Sequence, residues 1–309
     1  MDSTAYALSA VKDLKESFDN AQQLSMDQYM DSKLFDIYST TEVFEVYTST
    51  EGLTGSKLLG ELETPPSLSL EEGYTVTIRE KRFGGAVILP EQVYRRDGND
   101  STMKVDQFLM RQRDQLIKDN TNFLLVEMHK MYNEAFDNTS DYLAPDGVEI
   151  CGSHTWNSGG TFDNGVTAAF SEDEVDTALE YAGAFTDPSG KPMPLNFNTI
   201  VVKKGSAASR LAKRLFAMGI SPVAVADINI YEGEFTIIET PYISAANKAY
   251  WFMLDSTLDN PLKVGIGEYP TLREPIKESN ESIRTNVTGF WKQGCVNMSY
   301  SIYGSNGTT

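Results

Sequence analysis

The reactive side chains of this chain are scarce. Among 309 residues there are two histidines and two cysteines. Cys151 and His154 stand in a C-x-x-H spacing. A metal site needs about three or four ligands, and the other soft donors, Cys295 and His129, lie far away in sequence. A Cys–His nucleophile pair would also need an orienting third group and an oxyanion hole, and the flanking residues point to neither. Gly52–Lys57 (GLTGSK) superficially resembles a phosphate loop. The order required there is G-K-[ST] after four spacers; here serine precedes lysine and the first spacer is too short. Gly205 precedes a helix starting near Ser206, and a helix N-terminus can hold an anion. As a lone glycine it is read as a helix start.

A glycosidase needs two well-placed carboxylates. The 44 Asp and Glu residues offer many, and no sequence rule selects a pair. Trp156, Trp251 and Trp291 could stack on sugars, but such residues more often anchor cores or interfaces. Six tripeptides fit N-x-[ST], at Asn99, Asn138, Asn280, Asn286, Asn297 and Asn306. Glycosylation needs secretion, and the opening MDSTAYALSAVKDLKESFDN carries acids where a secretory signal has bases. Two cysteines make no disulfide framework and read as free thiols of a reducing compartment. No catalytic, cofactor-binding or metal-ligating residue is assigned: the expectation is a protein that is not an enzyme and carries no cofactor.

The net charge is −18, and no long basic run interrupts the acids. A sequence-reading or phosphate-gripping nucleic-acid binder should carry a basic patch. No apolar run reaches the roughly 18 residues of a membrane span. Hydrophobic content of 40% suits a folded protein. The length suits one large domain, or two sharing a core.

The elements that would position any site follow from pattern. Leu8, Val11, Leu14 and Phe18 recur at helical spacing, predicting a short helix and then a flexible arm within residues 1–30. Residues 41–50 (TEVFEVYTST) and 74–83 (YTVTIREKRF) alternate as strands. Several glycines and the pair Pro65–Pro66 lie between them, so the two form a long hairpin with an elaborate tip. Arms of that length reach about 30 Å. An isolated hairpin is marginal in water, so this one should need a partner surface.

Residues 101–136 predict one long helix. Val105, Phe108, Leu109, Leu116, Phe123, Leu124, Met128, Met131, Tyr132 and Phe136 trace its apolar face, with no glycine or proline between them. Such a rod is about 50 Å long. A loop-rich stretch follows over 137–170. Ser171 then caps a second helix, with Glu174 in the reciprocal capping-box position. NTIVVKK reads as a buried strand and GSAASRLAKRLFAMG as a helix closed by Gly219. VAVADINIY, FTIIETPYI, KAYWFMLD and the alternating 280–303 read as further strands. Without a regular βαβα alternation the class is α+β.

This order of elements resembles the Hong Kong 97-like fold shared by major capsid proteins of tailed bacteriophages. FGGAVILPEQVYRRDGND is similar to the segment that joins the extended loop to the spine helix in that family. DGVEICGSHTWNSGGTFDNGV, a helix, and DPSGKPMPLNFNTIVVKKGSAASRLAKRLF resemble the Mu-like major head subunit branch. There a D-G...SH loop precedes a helix, a D-x-x-G-x-P turn and a buried V-V strand. KAYWFMLDSTLDNPLKVG fits as an aromatic strand before a polar turn. The resemblance runs from about residue 30 through nearly the whole chain.

The resemblance implies an amino-terminal helix and arm over 1–40 and an extended hairpin loop over 41–83. It implies a peripheral domain from 84–165 and 276–309, with spine helix 101–136, and an axial domain over 166–275. It also implies a head subunit that self-assembles into hexamers and pentamers of an icosahedral shell. That shell would enclose double-stranded DNA without sequence-specific binding, and an acidic wall would not stick to that polyanion. The protein would reside in the virion, and in the host cytoplasm during assembly. Only about 40 residues precede the hairpin, so a separate scaffolding protein, or none, is expected. A portal protein and a decoration protein are further candidate partners, and no membrane is involved. Some relatives cross-link a lysine to an asparagine; Lys57 lies in the hairpin, but neither partner can be matched, and no cross-link is expected. Two alternatives stay open. One is an encapsulin-like nanocompartment shell, which shares this fold and which the Mu-like loop disfavours. The other is a carbohydrate-active hydrolase using paired carboxylates.

Overall fold

In the computed structural model, residues 3–30, 33–54, 58–61, 63–67, 69–94, 99–217, 231 and 233–307 are described. The chain opens with α1 (Ser3–Tyr29), passes through β1 (Asp36–Ser39) and rises into a hairpin, β2 (Phe44–Thr54) and β3 (Ser69–Arg79). β4 (Lys81–Leu89) follows, then one turn of helix, α2 (Glu91–Tyr94), the long α3 (Asn99–Met128) and a further turn, α4 (Lys130–Asn133). Small strands β5 (Ser153–Thr155), β6 (Thr161–Asp163) and β7 (Gly165–Val166) lead to α5 (Glu172–Ala184), β8 (Thr199–Lys203), α6 (Ala207–Ala217), β9 (Thr236–Thr240) and β10 (Trp251–Leu254). The chain then forms β11 (Leu262–Leu272), β12 (Ile276–Lys277), β13 (Ile283–Cys295) and β14 (Ile302–Ser305).

Two five-stranded sheets organise these elements. In the first, β13 lies between β4 on one side and β11 and β12 on the other, and β1 adds in parallel to β11. The second has the order β7-β14-β10-β8-β9. The alternation of β4 and β13 turns Val87, Leu89, Ile283 and Val287 to one face. There they meet Val11, Leu14 and Phe18 of α1 and Leu109 and Ile117 of α3. A second core joins the two sheets, with Leu124, Met128 and Trp291 at one end and Val201, Phe252 and Ile302 at the other. A third fills the outer face of the second sheet beneath α5 and α6. Ser171 caps α5 as the sequence predicts, its Oγ accepting from Glu174 N at 3.3 Å.

Several expectations are corrected. The amino-terminal helix is not short: α1 spans 27 residues. The single helix expected over 101–136 is two, parted at His129, whose Nδ1 bonds Leu125 O (2.7 Å) and whose Nε2 bonds Thr240 Oγ1 (2.9 Å). The strand expected over 74–83 breaks at Glu80 into the ends of β3 and β4, so FGGAVIL belongs to a sheet strand. Pairing also crosses the expected domain boundaries. β11 pairs with β13, although 262–272 fell in the expected axial segment; β14 pairs with β10, although 302–305 fell in the expected peripheral one. Residues 296–301 turn instead of continuing the closing strand. Lys57, Gly219 and all of VAVADINIY but Tyr231 lie outside the described residues.

Candidate assembly surfaces

The C-x-x-H pair does not form a site. Cys151 and Cys295 are buried in the core that joins the sheets. Burial pushes the Cys295 thiol up to about 12 and that of Cys151 well above its ordinary value, which leaves both as unreactive thiols. His154 points elsewhere. It is 0% exposed. Its Nδ1 lies 3.0 Å from Asp146 Oδ2, and its Nε2 lies 3.2 Å from both Ser299 Oγ and Ile150 O. Burial raises the Asp146 carboxyl, but bonds from His154, Val148 and Thr155 outweigh it and hold the group below its usual range.

Sequence reading missed this Asp–His–Ser line, whose members sit on separate segments with no local spacing to signal them. It has the residue types of a hydrolytic triad without the access. Ser299 is fully buried, and its Oγ donates to Ile150 O at 2.6 Å. Around it, Asn164 Nδ2 donates to the carbonyls of Ile150, Ser299 and Ile302. The cluster is a polar brace between the 146–164 segment and the turn at Ser299 that leads into β14. Among the described residues no three His, Cys, Asp or Glu side chains gather as a metal site. Trp156, Trp251 and Trp291 are all buried. Gly205 adopts φ +74, the left-handed region glycine favours, and Ser206 Oγ caps the following helix by accepting from Ser209 N. Among the described residues no helix is long and apolar enough to cross a membrane.

What the chain does present is its hairpin. Among the described residues β2 and β3 pair only with each other, so each keeps an edge without a partner strand there. The root is anchored on the first sheet. Lys292, 0% exposed, places Nζ 2.7 Å from Glu45 Oε1 and donates to Glu42 O at 2.6 Å. Glu45 also accepts from Tyr47 at 2.6 Å and from Tyr38 and Thr40. Burial pushes the Glu45 carboxyl up, but Lys292 and the three hydroxyls outweigh that and bring it down to about 2.

Further along, Glu51 is only 2% exposed. Its carboxylate accepts from Asn157 N, Ser158 N and Ser158 Oγ, each at 2.7 Å. Asn157 Nδ2 donates across to Glu72 O. Gly73 allows this approach, since a Cβ there would meet Ser49 Oγ at 2.2 Å. The expectation that the hairpin needs a partner surface is thus met in part within the same chain: its lower half rests on the β5–β6 turn. Beyond Thr54↔Ser69, the last rung, lies the tip, where Leu58 is 99% exposed and Leu59 is also exposed. Val43, Phe44 and Val46 expose further apolar surface near the root.

No protein-family model matches the chain, and no curated protein matches it by sequence. Solved structures do match. One from Microbacterium phage Oxtober96 aligns with a TM-score of 0.53 at 9% identity, over 88% of both chains. The capsid of Myoviridae Phage XM1 aligns at 0.48 and 9% identity, over 87% of this chain and 88% of that one. A virus-like particle from Pyrococcus furiosus aligns at 0.46 and 11% identity, over 94% and 98%. The long helix packed on one sheet, the projecting hairpin and the second helix-covered sheet are the Hong Kong 97-like capsid fold.

Proposed function

We propose that this chain is the major head subunit of a tailed bacteriophage, assembling into hexamers and pentamers of an icosahedral shell. The observation that carries the reading is the hairpin: two strands that among the described residues pair only with each other, with two exposed leucines at the tip, on a fold shared with a phage structure. An isolated hairpin gains little from its own pairing. Contact with a neighbouring copy would cover the exposed leucines. In this proposal the peripheral domain comprises α1, α3 and the first sheet; the axial domain comprises α5, α6 and the second sheet. That moves β11 to the peripheral domain and β14 to the axial one. Assignment to the Mu-like branch is supported by Asp146 and His154, members of the D-G...SH likeness, which pair inside the brace. Packaged double-stranded DNA, portal, scaffolding and decoration partners, and assembly in the host cytoplasm belong to the same proposal. So does the lack of enzymatic activity, which the burial of Ser299 and both thiols supports.

Electron micrographs of the purified protein, alone and co-expressed with its neighbouring genes, test the reading. Closed shells or capsomers are expected, and strict monomers under every condition would refute it. Particles loaded with protein instead of DNA would favour the nanocompartment alternative. Turnover of a glycan that depends on one Asp or Glu would favour the hydrolase.

A further inference from the structure

Two helices cover the same face of the second sheet and carry opposite charge. α5 contains Glu172, Asp173, Glu174, Asp176 and Glu180 and no basic residue. α6 contains Arg210, Lys213 and Arg214 and no acidic one. Each buries its apolar side in the shared core, Val175, Ala178 and Ala182 from α5 and Ala212, Leu215 and Phe216 from α6. The helical period therefore turns the charges outward, and Asp173, Asp176, Glu180, Arg210, Lys213 and Arg214 are all exposed. The helices sit toward opposite ends of the strand order. α5 packs Tyr181 on Tyr303 of β14, while α6 lies against β8 and β9. Lys213 has a partner within the chain, Glu239 at 2.6 Å, and Asp176 accepts from Tyr231. Among the described residues neither Arg210 nor Arg214 has an ion pair, nor do Asp173 and Glu180.

We infer that the acidic face of α5 docks on the basic face of α6 of the next copy, head to tail, around a ring. The partner is a second copy of this chain, and the inference rests on the shell-subunit reading. Molecules of net charge −18 repel one another, so contact requires local complementarity. A two-fold contact through α5 would set acid against acid, and one through α6 base against base. A contact that joins unlike faces is heterologous, and heterologous contacts that close by rotation make rings.

Charge exchange in the full chain tests this. One variant carries Arg210→Glu with Arg214→Glu, making both faces acidic. The other carries Asp173→Lys with Glu180→Lys, making both faces basic. Native mass spectrometry of each alone should show loss of rings. An equimolar mixture must alternate the two variants, so it should regain hexamers and no pentamers. All four substitutions in one chain should restore both ring sizes. Arg210→Lys with Arg214→Lys keeps the charge and should keep the rings, which separates a charge effect from misfolding. Wild-type rings together with unaffected single-face variants, or a mixture that stays monomeric, would overturn the inference and leave the shell reading standing. A wild type that never assembles overturns both. Normal rings from the acidic α6 variant with loss of bound DNA would instead make α6 a grip for polyanions and overturn the docking.

Discussion

Lys292 has no solvent exposure, and its charge is balanced by one carboxylate, Glu45, held by three hydroxyls. Removing one partner of a buried pair leaves an uncompensated charge and costs about 3–5 kcal/mol. Glu45→Ala should therefore destabilise the subunit by about that amount, read as a fall in the denaturant midpoint. Lys292→Met with Glu45→Leu should recover most of it. The pH dependence follows from the depressed carboxyl. A group lowered in the folded state contributes stability above its ordinary value of 4.5, and that contribution is lost as pH falls toward about 2. Hydrogen exchange at the hairpin root should accordingly rise between pH 4.5 and about 2 in the wild type and show no such step in Glu45→Gln. An unchanged profile in both would show that the pair does not hold the root. None of this was legible in sequence. Glu45 falls in the alternating stretch 41–50 and Lys292 in the alternating 280–303, and neither pattern couples the two. Their partnership is made by the sheet, and no local spacing announces it. The Asp146–His154–Ser299 brace was hidden for the same reason.

At the scale of elements, periodicity showed what it could. The apolar face of α3 was readable, and Leu109, Leu124 and Met128 are buried as that face requires. Phe123 was placed on it too, yet it is 42% exposed, lying at the margin where its ring stacks on Phe83 and meets Trp291 edge-on. α1 was read too short because its interface with α3 is polar in the middle. Gln22, Asn120 and Thr121 are buried, and Gln22 Nε2 donates to Thr121 Oγ1 at 3.0 Å. Polar residues at core positions interrupt the apolar signal without interrupting the helix. The hairpin, whose strands overlap the two expected alternating stretches, has a cis support that sequence could not show, because backbone N–H groups carry no residue signature. That support makes a prediction. With Glu51 held by Asn157 and Ser158, limited proteolysis of unassembled protein should cut only between residues 55 and 68, around the exposed Leu58 and Leu59, since loop tips are where proteases cut. Glu51→Ala removes the acceptor of those three bonds, and cleavage should then spread into β2 and β3. Identical cut sites in the two proteins would mean that the arms are held by something else.

The molecule as a whole separates what folds the subunit from what joins it to others. The three apolar cores are built from the two sheets, the helices on them and adjoining loops, and none draws on the described residues of 55–68. Excising 55–68 and joining Thr54 to Ser69 through Asn-Gly, a dipeptide suited to tight hairpin turns, should leave the melting temperature of the unassembled subunit near the wild-type value. The root pair and the Glu51 contacts would stay in place, so the shortened arms should keep their direction. The excision does remove Leu58, which is 99% exposed, and Leu59, which is 46% exposed. If those leucines rest on a neighbour, their loss removes roughly 1.5–3 kcal/mol of burial for Leu58 and about half that for Leu59 at every hairpin contact. Repeated around a ring and across a shell, that loss is multiplied by avidity. Capsomers joined through the axial domains should persist while closed shells fail, a separation visible as rings without particles in micrographs. Intact shells from the excised chain would show that the tip is not the clasp between subunits. Loss of rings as well would mean that the tip acts within the capsomer instead of between capsomers.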